Sequence, residues 1–173
     1  MQRWCIEWSF GHSGEEGHRL KKPSRIATNA RGEFLVVDSD DKTIKVFDSI
    51  GEFIYKINPK VDDTVRIVDV ADVATDADNN TYILVWLEGR GDDRHEVQVF
   101  TETGMQNKFL VNGDERSCLT VGHGRVVFVG SRRVTDVYLH GRRVRSGFGG
   151  GTVLFVTDIA AGSDDEIFML EDS

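Results

Sequence analysis

The sequence predicts an all-β chain assembled from repeated four-stranded units, and three observations carry that expectation. Glycine is frequent, at 18 of 173 residues, while proline is scarce, at 2. The apolar residues are largely Val, Ile, Leu and Phe in short runs separated by polar turns, which is the pattern of strands. The chain is also self-similar at a spacing of about 40–50 residues, the mark of a radial or solenoid repeat.

Four segments align: SRIATNARGEFLVVDS from Ser24, ADVATDADNNTYILVW from Ala71, SCLTVGHGRVVFVGS from Ser117, and VTDIAAGSDDEIFMLED from Val156. With Ile26, Val73, Leu119 and Ile159 equivalent, the steps are 47, 46 and 40 residues. Each segment reads as strand, polar turn, strand. A second half follows in the first three units: IKVFDSIGEFIYKI from Ile44, VQVFTETGMQNKFLV from Val97, and DVYLHGRRVRS from Asp136. There Phe47, Phe100 and Tyr138 are equivalent, and Gly51, Gly104 and Gly141 supply the hairpin turn. A complete unit therefore holds four strands, and alternation such as Ile44 and Val46 against Lys45 and Phe47 sends side chains to both sheet faces. Faces that are both partly apolar pack between neighbouring units, so the expected fold is a partial β-propeller of about three and a half blades, one domain over residues 1–173. Residues 4–10 are read as the outer strand of a preceding blade. Residues 24–57, 71–111 and 117–146 are read as blades, and 156–173 as an incomplete one. Such rings close with about 4–8 blades, so completion by further blades or by self-association is expected.

The segment FGHSGEEGHRLKKPSRIATNARGEFLVVDSDDKTIKVFDSIGEF resembles the NHL repeat. It supplies Phe10, Gly11, Gly14, Gly17, Pro23, Ile26, Ala27, Gly32, Val37, Asp38, Val46, Phe47, Asp48 and Gly51 in the family's order. The glycines suit a lead-in loop that needs positive φ, and the proline fixes the approach to the innermost strand. The second unit lacks the glycine-rich lead-in, and the third has Gly130 and Ser131 where the acidic strand end stands. WD40 is the rival propeller family, but the chain has no Trp-Asp dipeptide. The resemblance is to the C-terminal NHL region of tripartite-motif proteins, in which the propeller recruits protein or RNA and a separate RING domain transfers ubiquitin. It implies a non-catalytic surface for a protein partner or ubiquitination substrate. RNA binding in post-transcriptional regulation is the alternative, and a metal-dependent lyase of the NHL fold a more distant one.

The formal charge of −8 argues against a chain built as a whole to coat nucleic acid or an anionic membrane. The stretch RWCIEWSF carries charges where a signal peptide needs an apolar core, and no apolar run approaches the roughly 18 residues of a membrane span. A soluble, cytoplasmic chain is expected. Cys5 and Cys118 lie far apart with no second ligand at metal spacing, and His12, His18, His95, His123 and His140 are expected in loops or turns. Asp76, Asp78 and Asn80 have the odd-position spacing of a calcium loop, but its glycine is replaced and its twelfth position is Leu87, so they read as turn residues. GHSGEEG lacks the Gly-Lys-Ser/Thr of a phosphate loop, and Ser13 and Ser163 stand in no Gly-x-Ser-x-Gly. No catalytic, cofactor or metal residue is predicted.

In a four-stranded antiparallel blade the turn between the second and third strands shares one rim with the inter-blade loops. The other turns share the opposite rim. The first rim is expected to bind the partner, through Lys42, the inserted segment Glu88 to Glu96 with Arg90, Asp92 and Arg94, and Arg132 with Arg133. The third unit is rich in arginine, yet Arg132 and Arg133 fall on this rim and Arg125, Arg142 and Arg143 on the other. Basic and acidic residues balance on the first rim, which favours specific protein contacts over counterion-release binding to phosphate.

Overall fold

The computed structural model describes residues 9–12, 17–89, 93–113, 117–131, 134–147, 156–162 and 166–171. They form three four-stranded antiparallel sheets and one two-stranded sheet, each ordered as in the chain. The first blade contains β1 (Pro23–Thr28), β2 (Phe34–Asp38), β3 (Thr43–Phe47) and β4 (Phe53–Ile57). The second contains β5 (Arg66–Thr75), β6 (Thr81–Glu88), β7 (Asp93–Thr101) and β8 (Gly104–Val111). The third contains β9 (Cys118–Val121), β10 (Val126–Gly130), β11 (Thr135–Leu139) and β12 (Arg142–Arg145). A half blade follows, β13 (Val156–Ala161) and β14 (Ile167–Glu171). The first strand of each blade lies beside that of the next, β1 by β5, β5 by β9 and β9 by β13. The architecture is a partial β-propeller of about three and a half blades.

Blade-on-blade packing explains why strands such as TYILVWL are apolar on both faces. Ile83, Val85 and Leu87 of β6 turn toward Leu35, Val37, Ile44 and Val46 of the first blade, while Tyr82 and Leu84 turn toward Leu119, Val127, Val129 and Tyr138 of the third. A third cluster joins Cys118, Phe128 and Val137 to Val156 and Ile159. Each fully buried Val, Leu, Ile or Phe side chain contributes about 1.5–3 kcal/mol relative to exposure. Ala27 packs against the first cluster, and Ile26, on the other side of β1, is 59% exposed.

Two sequence expectations are corrected. The innermost strand of the second blade begins at Arg66 rather than near residue 71, because irregularities between Ile67 and Asp69 and between Val70 and Asp72 absorb the broken alternation of RIVDVADV. Within the segment Glu88 to Glu96, Glu88 and the residues from Asp93 to Glu96 are strand. β6 and β7 remain paired out to Glu88 opposite Asp93, so the connection shrinks to residues 89–92.

The turns use one repeated device. The side chains of Asn29, Asp48 and Asp76 each accept backbone N–H bonds from two and four residues on, at 2.9–3.0 Å. Gly32 and Gly51 close the first two of these turns at φ +75° and +85°. Asp76 and Asn80 thus hold a hairpin turn. The lead-in segment covers the outward face of the first blade: Phe10 sits 5.3 Å from the Phe34 ring and 5.0 Å from Phe47, and His18 stacks on Phe53 at 4.1 Å. Gly11, at φ +82°, is required here, since a Cβ would meet the Leu20 side chain at 2.4 Å. On the half blade, Phe168 and Leu170 are 59% and 63% exposed.

Candidate recognition surface

The first rim is fastened from within by one buried polar side chain per blade. These are Lys45, Gln98 and Asp136, each two residues before the aligned aromatic Phe47, Phe100 or Tyr138, and all are buried. The Lys45 ammonium donates to Asp38 at 2.8 Å, to Asp41 at 2.6 Å and to the Arg19 carbonyl. Asp38, the acidic strand end, also accepts the backbone N–H groups of Lys21 and Lys22, both at 2.9 Å. Gln98 exchanges two bonds with the Lys60 backbone, accepting at 2.8 Å and donating at 2.6 Å. Asp136 accepts from the Asn112 side chain at 2.8 Å, while the Asn112 backbone N–H donates to the Tyr138 hydroxyl at 3.0 Å. In each of the three four-stranded blades, then, the third strand pins the segment that leads into that blade.

The electrostatics of the first staple follow from this geometry. Burial alone raises the Asp38 carboxyl, but the Lys45 ammonium and two backbone N–H groups outweigh it and hold the group below its ordinary value. Asp41 is lowered by its bonds to Lys21 and Lys45. Lys45 is raised, because its two carboxylate partners exceed the opposing effect of burial.

Of the predicted rim residues, Lys42 and Arg94 are described, while Arg90, Asp92, Arg132 and Arg133 lie outside the described residues, as does Gly14. Lys42, at φ +53°, reaches across to the second blade and donates to the Ile67 carbonyl at 3.0 Å. Arg94 is a half-buried residue of β7 opposite Leu87. Glu96 is not a rim group at all: it is buried and accepts from Gln98 at 2.9 Å. His95, expected in a loop, lies in β7, buried and stacked on Trp86 at 5.9 Å. Two further ion pairs, Arg66 with Glu88 and Lys21 with Asp41, lie on the described part of this edge.

The opposite rim is linked blade to blade. Ala30 N–H donates to Asn79 at 2.9 Å, Thr75 to the Thr28 carbonyl at 2.8 Å, Arg31 pairs with Glu102, and Arg125 reaches Asp78 at 2.8 Å and Asp76 at 3.5 Å. The innermost strands carry a row that repeat alignment makes readable, since Arg25, Asp72, Cys118 and Asp158 each precede the aligned apolar residue. Arg25, Asp72 and Asp158 edge a groove of ≈ 540 Å³, while Cys118 is buried. Asp72 accepts the N–H groups of Leu119 and Val73 at 2.8 Å and lies 4.0 Å from Arg25. Burial pushes its carboxyl up to about 6, against those bonds. Burial likewise pushes the Cys118 thiol up to about 12, which makes it a poor nucleophile. Among the described residues no group of three or more His, Cys, Asp and Glu is placed to hold a metal ion, and no helix is long and apolar enough to cross a membrane.

No protein-family profile and no curated protein matches this sequence. Solved structures match in fold. A streptogramin B lyase superposes with a TM-score of 0.63 at 11% identity, over 86% of this chain and 48% of that one. A catalytically inactive virginiamycin B lyase from Staphylococcus aureus with quinupristin gives 0.60 at 13%, over 87% and 49%. U3-55K gives 0.58 at 14%, over 81% and 42%. The chain spans about half the length of these structures. At such identities the likeness is one of fold, and the fold it supports is the β-propeller.

Proposed function

We propose that this chain is a non-catalytic recognition module, an NHL-type propeller segment that binds a protein partner through the rim bearing Lys42, Arg90, Asp92, Arg94, Arg132 and Arg133. The observation that carries the reading is the row of buried staples, Lys45, Gln98 and Asp136. They fix the lead-in segments of that rim, at Arg19, Lys60 and Asn112, before any partner arrives, which reduces the ordering cost of association. Likeness to the NHL region of tripartite-motif proteins supports a ubiquitin-ligase context, with the partner or substrate presented to a RING domain on another segment.

The test is capture of partner from cell extract by the immobilised chain. Arg132→Glu with Arg133→Glu should abolish capture, and Arg142→Glu on the opposite rim should leave it intact. Arg143 and Lys108 are unsuitable as controls, because Arg143 bonds the buried Asp136 at 3.3 Å and Lys108 pairs with the buried Glu96 at 3.9 Å. Equal losses from both variants, or capture that ribonuclease removes, would show that bulk charge and nucleic acid govern binding, and the reading would fall.

A further inference from the structure

We infer that the groove between the first and second blades, walled by Tyr55, Lys56 and Lys60, is a docking site for an acidic linear peptide segment with interspersed apolar side chains. This rests on the protein-recognition reading above and adds to it a partner chemistry and a contact surface away from Lys42.

The groove encloses ≈ 410 Å³ and contains Ile57 and Phe100, with the Tyr55 ring 42% exposed beside them. That volume lies within the range of pockets that take a few side chains. Lys56 and Lys60 are exposed, and neither ammonium has a hydrogen-bond or ion-pair partner among the described residues. Arg31, on the same wall, is already paired with Glu102. Two uncompensated positive charges thus flank a mixed slot, in which Tyr55, Ile57 and Phe100 stand among polar side chains, on a chain whose formal charge is −8, a local reversal of sign that selects a negatively charged partner.

Three features single out this groove and an extended partner. The first sheet ends at β4, so the outer edge of that strand offers main-chain donors and acceptors beside Tyr55 and Lys56. The wall is set in advance, because the Ala30 bond to Asn79 joins the two blades above the groove and Gln98 clamps the Lys60 backbone below it. The corresponding groove between the second and third blades lacks the chemistry: Asn107 stands at the register place of Tyr55, and the Arg125 guanidinium is bound to Asp76 and Asp78. RNA fits less well. Two lysines do not make a track for successive phosphates, and Glu33 and Glu102 both act electrostatically on the Tyr55 hydroxyl.

The test is fluorescence anisotropy with a labelled Glu-Leu repeat peptide, its Lys-Leu counterpart and a labelled single-stranded RNA of mixed sequence. The chain should bind the Glu-Leu peptide and not the Lys-Leu one. Lys56→Gln and Lys60→Gln should each weaken binding about threefold and together about tenfold, while Arg142→Gln, equal in charge to either single change, should alter it by less than about 1.5-fold. Absence of binding by the unaltered chain, equal weakening by Arg142→Gln and the single lysine variants, or displacement of the peptide by RNA would overturn the inference. Partner capture that persists through the Arg132 and Arg133 rim while the peptide fails to bind would remove this site and leave the recognition reading standing.

Discussion

Replacing Lys45 by methionine keeps the buried stem and removes only the ammonium. Asp38 then retains the N–H groups of Lys21 and Lys22 but loses its cation, and the Arg19 carbonyl loses its donor. Breaking a buried pair from one side leaves an uncompensated charge, at a cost of about 3–5 kcal/mol. The sign of the pH dependence follows. In the unaltered chain Asp38 titrates below its unfolded value, so its contribution is present above about pH 4 and is lost as pH falls through the folded value. In the variant, burial acts unopposed by the cation, the folded value rises, and acidification relieves the strain. Urea melts followed by tryptophan fluorescence should show the full deficit at pH 7 and a smaller one near pH 4. A deficit under about 1 kcal/mol, the size of an ordinary surface change, or one that does not change with pH, would refute the staple as described.

Other expectations are independent of that pair. Phe47, 1% exposed between Phe10 and Phe53, should cost about 3–5 kcal/mol on Phe47→Ala in the same melts; a loss near zero would contradict the packing. Asp72, raised to about 6 from 3.8, favours folding most below about pH 4, and this contribution of about 3 kcal/mol declines as pH rises through 6. Asp72→Asn should remove that decline, and parallel profiles for the two chains would refute it. In a Cys5→Ser background, Cys118 should react with a thiol reagent only as fast as the chain opens, whereas rapid labelling of the folded chain would contradict its burial.

Much of the fold is readable in the sequence where turn chemistry and alternation agree. In the first unit Gly32, Gly51 and the Val46-Phe47-Asp48 run mark turns and strands that the structure places at β2, β3 and β4. The second unit is harder, because two irregularities in RIVDVADV break the period of two and hide the start of β5. EGRGDDRHE reads as a loop because its residues are charged, yet cross-strand pairs such as Leu87 with Arg94 carry Glu88 and the residues from Asp93 to Glu96 as strand. The staples carry a signal that needs the repeat alignment, since Lys45, Gln98 and Asp136 share no chemistry and only their common place before the aromatic reveals a common role. Their partners at Arg19, Lys60 and Asn112 are mostly backbone groups or loop residues, which no periodicity marks.

The central claim is that capture of the partner depends on the rim that bears Lys42, and amide hydrogen exchange with and without the captured partner tests it most directly. Protection should appear in residues 39–42, 88–94 and 131–134, with the innermost strands β1, β5, β9 and β13 unchanged. Protection confined to those innermost strands would place the ligand in the central groove beside Arg25 and Asp72 and contradict the account.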